Sequence, residues 1–77
     1  MRRFTMLVTN DEDFGRRGRL IRVRANTIRG AMRRALRKMK PYEWFEQVET
    51  RVRGCELKQP VWDSYNGNMS HHFGLSL

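Results

Sequence analysis

Positive charge is the chemistry that this sequence offers most clearly. The chain carries 16 Lys and Arg against 8 Asp and Glu in 77 residues, which gives a formal net charge of +8. Most of these cations are Arg, whose planar guanidinium binds phosphate and carboxylate groups in bidentate geometry. The expected partner is therefore polyanionic, either an acidic protein surface or a nucleic acid.

The cations fall into two groups. One group follows a helical repeat, in which Arg29, Arg33 and Arg37 lie at i, i+4 and i+8. The candidate nucleic-acid-binding residues of this group are Arg29, Arg33, Arg34, Arg37 and Lys38. The other group alternates along two predicted strands, which places its members on one face of a sheet. The candidate partner-binding residues of this second group are Arg22, Arg24, Arg51 and Arg53.

Other reactive side chains do not form a catalytic or metal-binding pattern. His71 and His72 are adjacent, and adjacent side chains point in different directions in a helix or strand. Cys55 is the one soft ligand of the sequence that could complete a metal site with them. The acidic run at 11–13 is typical of a solvated loop, and no phosphate-binding glycine motif occurs. We therefore expect a binding protein and not an enzyme, with no catalytic residue, no metal and no cofactor.

The cellular compartment is predicted from cysteine use and hydropathy. Cys55 is the single cysteine, which excludes an internal disulfide and indicates a reducing compartment. No apolar run approaches the roughly 20 residues of a membrane span. We expect a cytoplasmic protein with no membrane partner, and the oligomeric state is left open.

Two strands and a loop must position the first sheet arginines. Residues 3–9 alternate, with Phe4, Met6 and Val8 on one face, and residues 19–25 alternate in the same way. Residues 10–18 are rich in Asn, Asp and Gly, which predicts a long loop between the strands of a hairpin.

An amphipathic helix follows from Asn26 to Pro41. Asn26 or Thr27 can cap its first turn, and Pro41 cannot continue its hydrogen-bond ladder. Its apolar face comprises Ile28, Ala31, Met32, Ala35, Leu36 and Met39. We expect this face, including Leu36, to pack against the sheet.

A third strand is predicted at 47–57, with Val48, Thr50 and Val52 facing inward. A helix at 44–52 is the alternative. Residues 58–77 show no clean period, so we expect an irregular tail that crosses the open sheet face or orders when a partner binds.

Large aromatic residues at the end of the chain and before the third strand belong either to the core or to a base-stacking surface. They are Trp44, Phe45, Trp62 and Tyr65.

The predicted fold is a two-layer α+β sandwich. One helix covers one face of a three-stranded antiparallel sheet of order 2-1-3, and residues 1–57 form a ββαβ domain followed by the tail at 58–77. The helix cations and the sheet arginines would then lie on opposite sides of the domain. A ribbon-helix-helix fold is the alternative, with 19–25 as the ribbon and helices at 27–40 and 42–53.

One resemblance to a known family rests on element order and a short motif. The order strand, long loop, strand, helix, strand, ending in Thr50-Arg51-Val52-Arg53 and followed by Cys55, resembles the RNA polymerase inhibitors of short-tailed coliphages. Members of that family are similarly short, and two arginines of their last strand contact an acidic surface of the polymerase. The resemblance implies this role for Arg51 and Arg53, in a phage-encoded protein. The helix is strongly basic where that of the family has acidic character, and the tail has no counterpart in the family.

Three functions follow as expectations. The first is a small, non-enzymatic phage protein that binds an acidic surface of bacterial transcription machinery and inhibits host RNA polymerase. The second is a regulator that binds DNA or RNA directly through the Arg-rich helix and sheet. The third is a structural or oligomer-forming phage component that uses the tail as an interaction arm.

Overall fold

The computed structural model describes residues 1–10 and 18–75. In chain order its elements are β1 (Arg2–Asn10), β2 (Arg19–Ala25), α1 (Ile28–Leu36), β3 (Glu43–Arg51), β4 (Lys58–Asp63), β5 (Gly67–Asn68) and a 3-10 helix (Ser70–Phe73). The strands form one antiparallel sheet in the order β2-β1-β3-β4-β5. The α+β class and the single α-helix within the described ranges agree with the sequence prediction, and so does the neighbour order β2-β1-β3. The prediction of three strands is wrong, because β4 and β5 extend the sheet.

Strand alternation places the hydrophobic core on the face of the sheet that α1 covers. Phe4, Met6 and Val8 of β1 are all buried, and in register they pair with residues of β2 and β3. The buried core comprises Phe4, Met6, Val8, Ile21, Val23, Ala25, Ile28, Ala31, Ala35, Val48, Val52 and Val61. The predicted inward residues of the first three strands are therefore buried as expected.

Helix α1 begins as the sequence predicts and ends early. Thr27 is the N-cap, and its Oγ1 accepts a hydrogen bond from the Gly30 N–H at 3.0 Å. The last turn tightens into i to i−3 hydrogen bonds, as from the Lys38 N–H to the Ala35 carbonyl at 2.9 Å, so the helix does not reach Pro41. Leu36 is 57% exposed, which contradicts its predicted place against the sheet.

Glu43 makes contacts at the end of α1 that the sequence pattern did not predict. Its carboxylate accepts hydrogen bonds from the Lys40 N–H at 2.8 Å and from Arg19 Nε and Nη2 at 2.7 Å each. Arg19 Nη2 also donates to the Lys38 carbonyl at 2.6 Å. These contacts hold the chain in a turn that ends α1 and leads into β3.

Strand β3 starts at Glu43, four residues before its predicted start. The register against β1 shifts between Leu7 and Val8, so that Val8 pairs with Phe45 and Leu7 with Gln47. This bulge puts Phe45 and Val48 on one face although they lie three residues apart. Such spacing imitates a helical pattern, but residues 43–51 are a strand. The helix at 44–52 and the second helix of a ribbon-helix-helix fold are therefore both wrong.

The predicted irregular tail contains strand β4, and its weak sequence signal has a physical cause. Val48 pairs with Trp62 and Glu49 with Pro60, so Val61 is an extra residue in the strand. A bulge breaks the alternation of apolar residues, and a proline lowers the expectation of a strand. Val61 is nonetheless fully buried and belongs to the core. A turn at 64–66 and β5 follow, so residues 58–68 extend the sheet and do not lie across its open face.

Most of the predicted loop at 10–18, including the acidic run at 11–13, lies outside the described residues. No helix in the described ranges has the length and hydropathy that crossing a membrane would require.

Candidate anion-binding hollow

The face of the sheet opposite α1 carries a row of cations across four strands. Arg24 of β2 pairs in register with Arg3 of β1, and Arg51 of β3 pairs with Lys58 of β4. Phe4 pairs with Thr50, so Arg3 and Arg51 are also neighbours on adjacent strands. Neighbouring strands lie about 4.8 Å apart, which puts four positive side chains side by side.

The row forms the floor of an open hollow of about 760 Å³. One cation of α1 and one from the turn that follows the helix line it as well. Arg34 Nη1 donates a hydrogen bond to the Arg24 carbonyl at 2.6 Å and lies 3.8 Å from Met1 Sδ. Lys38, four residues further along the chain, also lines the hollow. Eight lining residues are cationic, and they are Arg2, Arg3, Arg22, Arg24, Arg34, Lys38, Arg51 and Lys58. None of the described residues that line the hollow is Asp or Glu.

Hydrogen bonds to the backbone and to threonines hold part of this array in place. Lys58 Nζ donates to Thr5 Oγ1 at 2.8 Å, and Arg2 Nη1 donates to the Arg51 carbonyl at 2.9 Å. Thr50 Oγ1 donates to the Arg3 carbonyl at 2.6 Å and ties β1 to β3 beneath the row. These contacts satisfy donors without neutralising charge, so the positive potential of the hollow is retained.

Acidic side chains of the described residues form no ion pair with the residues that line the hollow. Within residues 1–10 and 18–75 the structure contains one ion pair, between Arg19 and Glu43, and neither residue lines the hollow. Glu49 lies on the open face, opposite Thr5, and forms no ion pair with any described residue. Like charges on adjacent strands destabilise a sheet. We therefore expect the row to lower the stability of the free protein.

Two carboxyl groups outside the hollow have shifted pKa values. The hydrogen bond from Arg19, supported by the Lys40 N–H, lowers the pKa of Glu43 to about 2, and the same hydrogen bond raises the pKa of Arg19. At the β4–β5 turn, hydrogen bonds from the backbone and side chain of Asn66 lower the pKa of Asp63. Both groups stabilise turns and neither faces the cation row.

The structure divides the predicted site residues differently from the two groups of helix cations and sheet arginines that the sequence indicated. Arg22, Arg24 and Arg51 of the sheet join Arg34 and Lys38 of the predicted helix in the one hollow. The expectation that helix and sheet cations lie on opposite sides is therefore wrong for these two helix residues. The physical reason is that α1 packs chiefly over β2, the edge strand, so its long side chains reach around that edge.

Four other predicted residues lie outside the hollow. Arg53 is exposed in the turn after β3, and Arg37 is the exposed C-cap of α1. Arg29 and Arg33 flank a separate groove on the covered face of the sheet.

The sequence pattern missed three cationic lining residues, Arg2, Arg3 and Lys58. The sequence did contain a signal for Arg3, because it alternates with Phe4 and so belongs to the strand face opposite Phe4, Met6 and Val8. Lys58 had none, because its position depends on β4.

Neither the aromatic residues nor the histidines add a second chemistry to the hollow. Phe4 is the aromatic residue in its described lining, and its side chain is buried. The His71 and His72 rings lie 4.1 Å apart between centroids in the 3-10 helix. In the described part of the chain, no group of three or more His, Cys, Asp or Glu could hold a metal ion.

Comparison with protein-family models, with curated proteins and with solved structures finds no match for this chain.

Proposed function

We propose that this chain is a non-enzymatic binding protein that uses the hollow to hold an acidic segment of a partner protein. The observation that carries the proposal is the composition of the lining, in which eight residues are Arg or Lys and none of those described is acidic. Carboxylates of a partner would relieve the repulsion along the row and form charge-assisted, often bidentate, hydrogen bonds with its arginines.

The shape of the site favours an acidic protein segment over duplex DNA. Readers of duplex DNA usually insert a protruding helix or ribbon into a groove, whereas these cations converge on a concave face. Proteins that bind single strands combine cations with exposed aromatic rings on which bases stack. The described lining of the hollow offers no such ring, since Phe4 is only 2% exposed.

The narrower form of the proposal names bacterial RNA polymerase as the partner and inhibition of host transcription as the result. It draws on the resemblance of Thr50–Arg53 to the last strand of the coliphage inhibitors. Arg51 lines the hollow, and Arg53 follows it in the exposed turn after β3. In this form the chain is phage-encoded and acts in the host cytoplasm.

A pull-down from nuclease-treated bacterial lysate, read by mass spectrometry, tests the proposal. We expect the chain to retain an acidic protein partner, and we expect Arg24→Glu with Arg51→Glu to abolish that capture. The matched control, Arg37→Glu with Lys40→Glu, changes net charge equally at exposed residues outside the hollow. Equal capture by both double variants would refute the proposal.

Transcription by purified RNA polymerase tests the narrower form separately. We expect added protein to lower transcript yield and the Arg24 and Arg51 variant to restore it. If transcription is undiminished at saturating protein, RNA polymerase is excluded as the target. The broader proposal of an acidic protein partner is not affected by that result.

Direct nucleic-acid binding is the second candidate, favoured by the number of cations that gather without an acidic neighbour in the described lining. If it holds, the logarithm of the binding constant should fall with the logarithm of salt concentration, by roughly 0.9 for each duplex phosphate contacted. The absence of a gel shift with DNA and RNA at low salt excludes this candidate.

A further inference from the structure

A second surface lies on the covered face of the sheet, between α1 and the strands β3 and β4. It is an open groove of about 280 Å³. Its apolar lining consists of Met32 and Leu36 from α1, Phe45 from β3 and Trp62 from β4. The Phe45 and Trp62 rings meet edge to face, with centroids 6.3 Å apart. The groove shares no lining residue with the basic hollow.

The groove exists because α1 covers only part of the sheet. The helix contacts β2 most and β1 less, and buries Ile28, Ala31 and Ala35 there. The flank of the helix that carries Met32 and Leu36 lines the groove opposite Phe45 of β3 and Trp62 of β4. Leu36 is consequently 57% exposed at the edge of two half-buried aromatic rings.

The charges along the groove indicate what kind of segment fits it. Arg29 and Arg33, one helical turn apart, both line it. Asp and Glu are absent from its described lining. From Arg29 to Leu36 the groove follows about two helical turns, or roughly 10 Å at 1.5 Å per residue. A short helix with an apolar stripe and carboxylates beside it would match the lining in length, hydropathy and charge.

We propose that this groove binds an amphipathic acidic helix of a partner protein. The apolar stripe of that helix packs on Leu36, Phe45 and Trp62, and its carboxylates pair with Arg29 and Arg33. A second copy of the chain fits poorly, because a two-fold contact would bring the two arginine pairs together and each copy carries a formal charge of +8. The inference does not depend on the function proposed for the hollow.

Trp62 provides a direct optical test. The chain has two tryptophans, so in a Trp44→Phe background the emission reports on Trp62 alone. The probe is a synthetic helical peptide of Leu and Glu, with Leu at positions i, i+3, i+4 and i+7. Two control peptides are a Leu/Lys peptide with the same pattern and a Leu/Glu peptide with a scrambled order. We expect the patterned Leu/Glu peptide to shift Trp62 emission to shorter wavelength and the controls to leave it unchanged.

Matched substitutions locate the binding. We expect Leu36→Gln to weaken the affinity for the patterned Leu/Glu peptide about tenfold. A loss of this size corresponds to the burial of one leucine side chain. Leu57→Gln makes the same change at a residue that is 77% exposed elsewhere and should have no effect. Arg29→Glu should weaken binding by a similar factor, and Lys40→Glu, with the same charge change, should not.

Four results overturn the proposal. They are an unchanged Trp62 emission up to the solubility limit of the peptide, equal binding of the patterned and scrambled peptides, equal binding by the Leu36 and Leu57 variants, and a dimer in sedimentation equilibrium that Leu36→Gln dissociates. Because these substitutions leave the hollow intact, a failure here is distinguishable from a failure of the function proposed for the hollow.

Discussion

At the scale of residues, Arg51 illustrates how binding and stability oppose each other in this chain. It lies between Arg3 and Lys58 in the cation row, and Arg2 contacts its carbonyl and not its guanidinium. Within the described residues no carboxylate forms an ion pair with it. We therefore expect its charge to destabilise the free protein through repulsion from its neighbours in the row.

Replacement of Arg51 by Thr should stabilise the free protein. Removing one of several adjacent like charges should raise the free energy of unfolding by about 0.2 to 1 kcal/mol. Urea denaturation at low salt measures this gain, which should vanish at about 1 M salt because screening then reaches only about 3 Å. Arg53→Thr, outside the row, is the control, and an equal gain there would contradict the explanation.

Glu43 should make stability depend on pH in the acid range. Its pKa is about 4.5 in the unfolded chain and about 2 in the folded one, because Arg19 and the Lys40 N–H bind the carboxylate. The folded state therefore resists protonation. The stabilisation is fully present above pH 4.5 and is lost as the pH falls towards 2.

Glu43→Gln tests this pH dependence. Urea midpoints measured between neutral pH and pH 2 should fall less steeply for the variant than for the parent chain. Asp63, whose pKa is also lowered, remains titratable in both proteins. If both chains lose stability equally on acidification, Glu43 is not responsible.

At the scale of elements, the short helix α1 has the most influence on both candidate surfaces. Its position over β2 directs Arg34 and Lys38 to the hollow and leaves Arg29 and Arg33 beside the groove. With only nine residues and no acidic side chain in its first turn, it depends on its cap and on packing. A loss at its N-terminus should therefore affect both surfaces.

Thr27→Ala should lower the free energy of unfolding by about 1 kcal/mol. The substitution removes the hydrogen bond that Thr27 Oγ1 accepts from the Gly30 N–H. Chemical denaturation followed by circular dichroism measures the loss. Thr27→Ser preserves the accepting oxygen and should retain most of the stability, so an equal loss in both variants would exclude the cap as the cause.

At the scale of the whole molecule, the strands beyond residue 57 belong to the same core as the rest. Val61 of β4 is fully buried, and Trp62 packs against that core with Phe73 and Leu75. A chain of 77 residues has little apolar area to lose before folding fails. Residues 58–75 are therefore part of the structural unit in the described chain.

A fragment of residues 1–57 should not fold. Without β4, the hydrogen-bonding edge of β3 and one side of Val48 would be exposed to water. A two-dimensional amide NMR spectrum should show narrow dispersion for this fragment and wide dispersion for the full chain. A well-dispersed spectrum of the fragment would instead support an independent ββαβ domain.

The local pattern of apolar and polar residues was sufficient to predict the secondary structure of β1, β2 and the start of α1. Alternation predicted β2 to the residue, and the sequence predicted the start of α1 with Asn26 or Thr27 as its cap, of which Thr27 is the N-cap in the structure. These features depend on side chains that repeat with the period of their own element, so neighbouring residues carry the information. The inward residues of β3 followed in the same way.

Only the tertiary structure decided which surfaces the cations form. Bulges in β3 and β4 break the period of two, so the start of β3 and all of β4 depend on pairing with a neighbouring strand. The end of α1 depends on a contact between Arg19 and Glu43, which are 24 residues apart in the sequence and lie on different strands. Arg34 and Lys38 join the hollow because α1 lies at the sheet edge, and Lys58 joins because β4 pairs with β3. The sequence determined that the chain would carry an excess of positive charge, and long-range packing decided where that charge would gather.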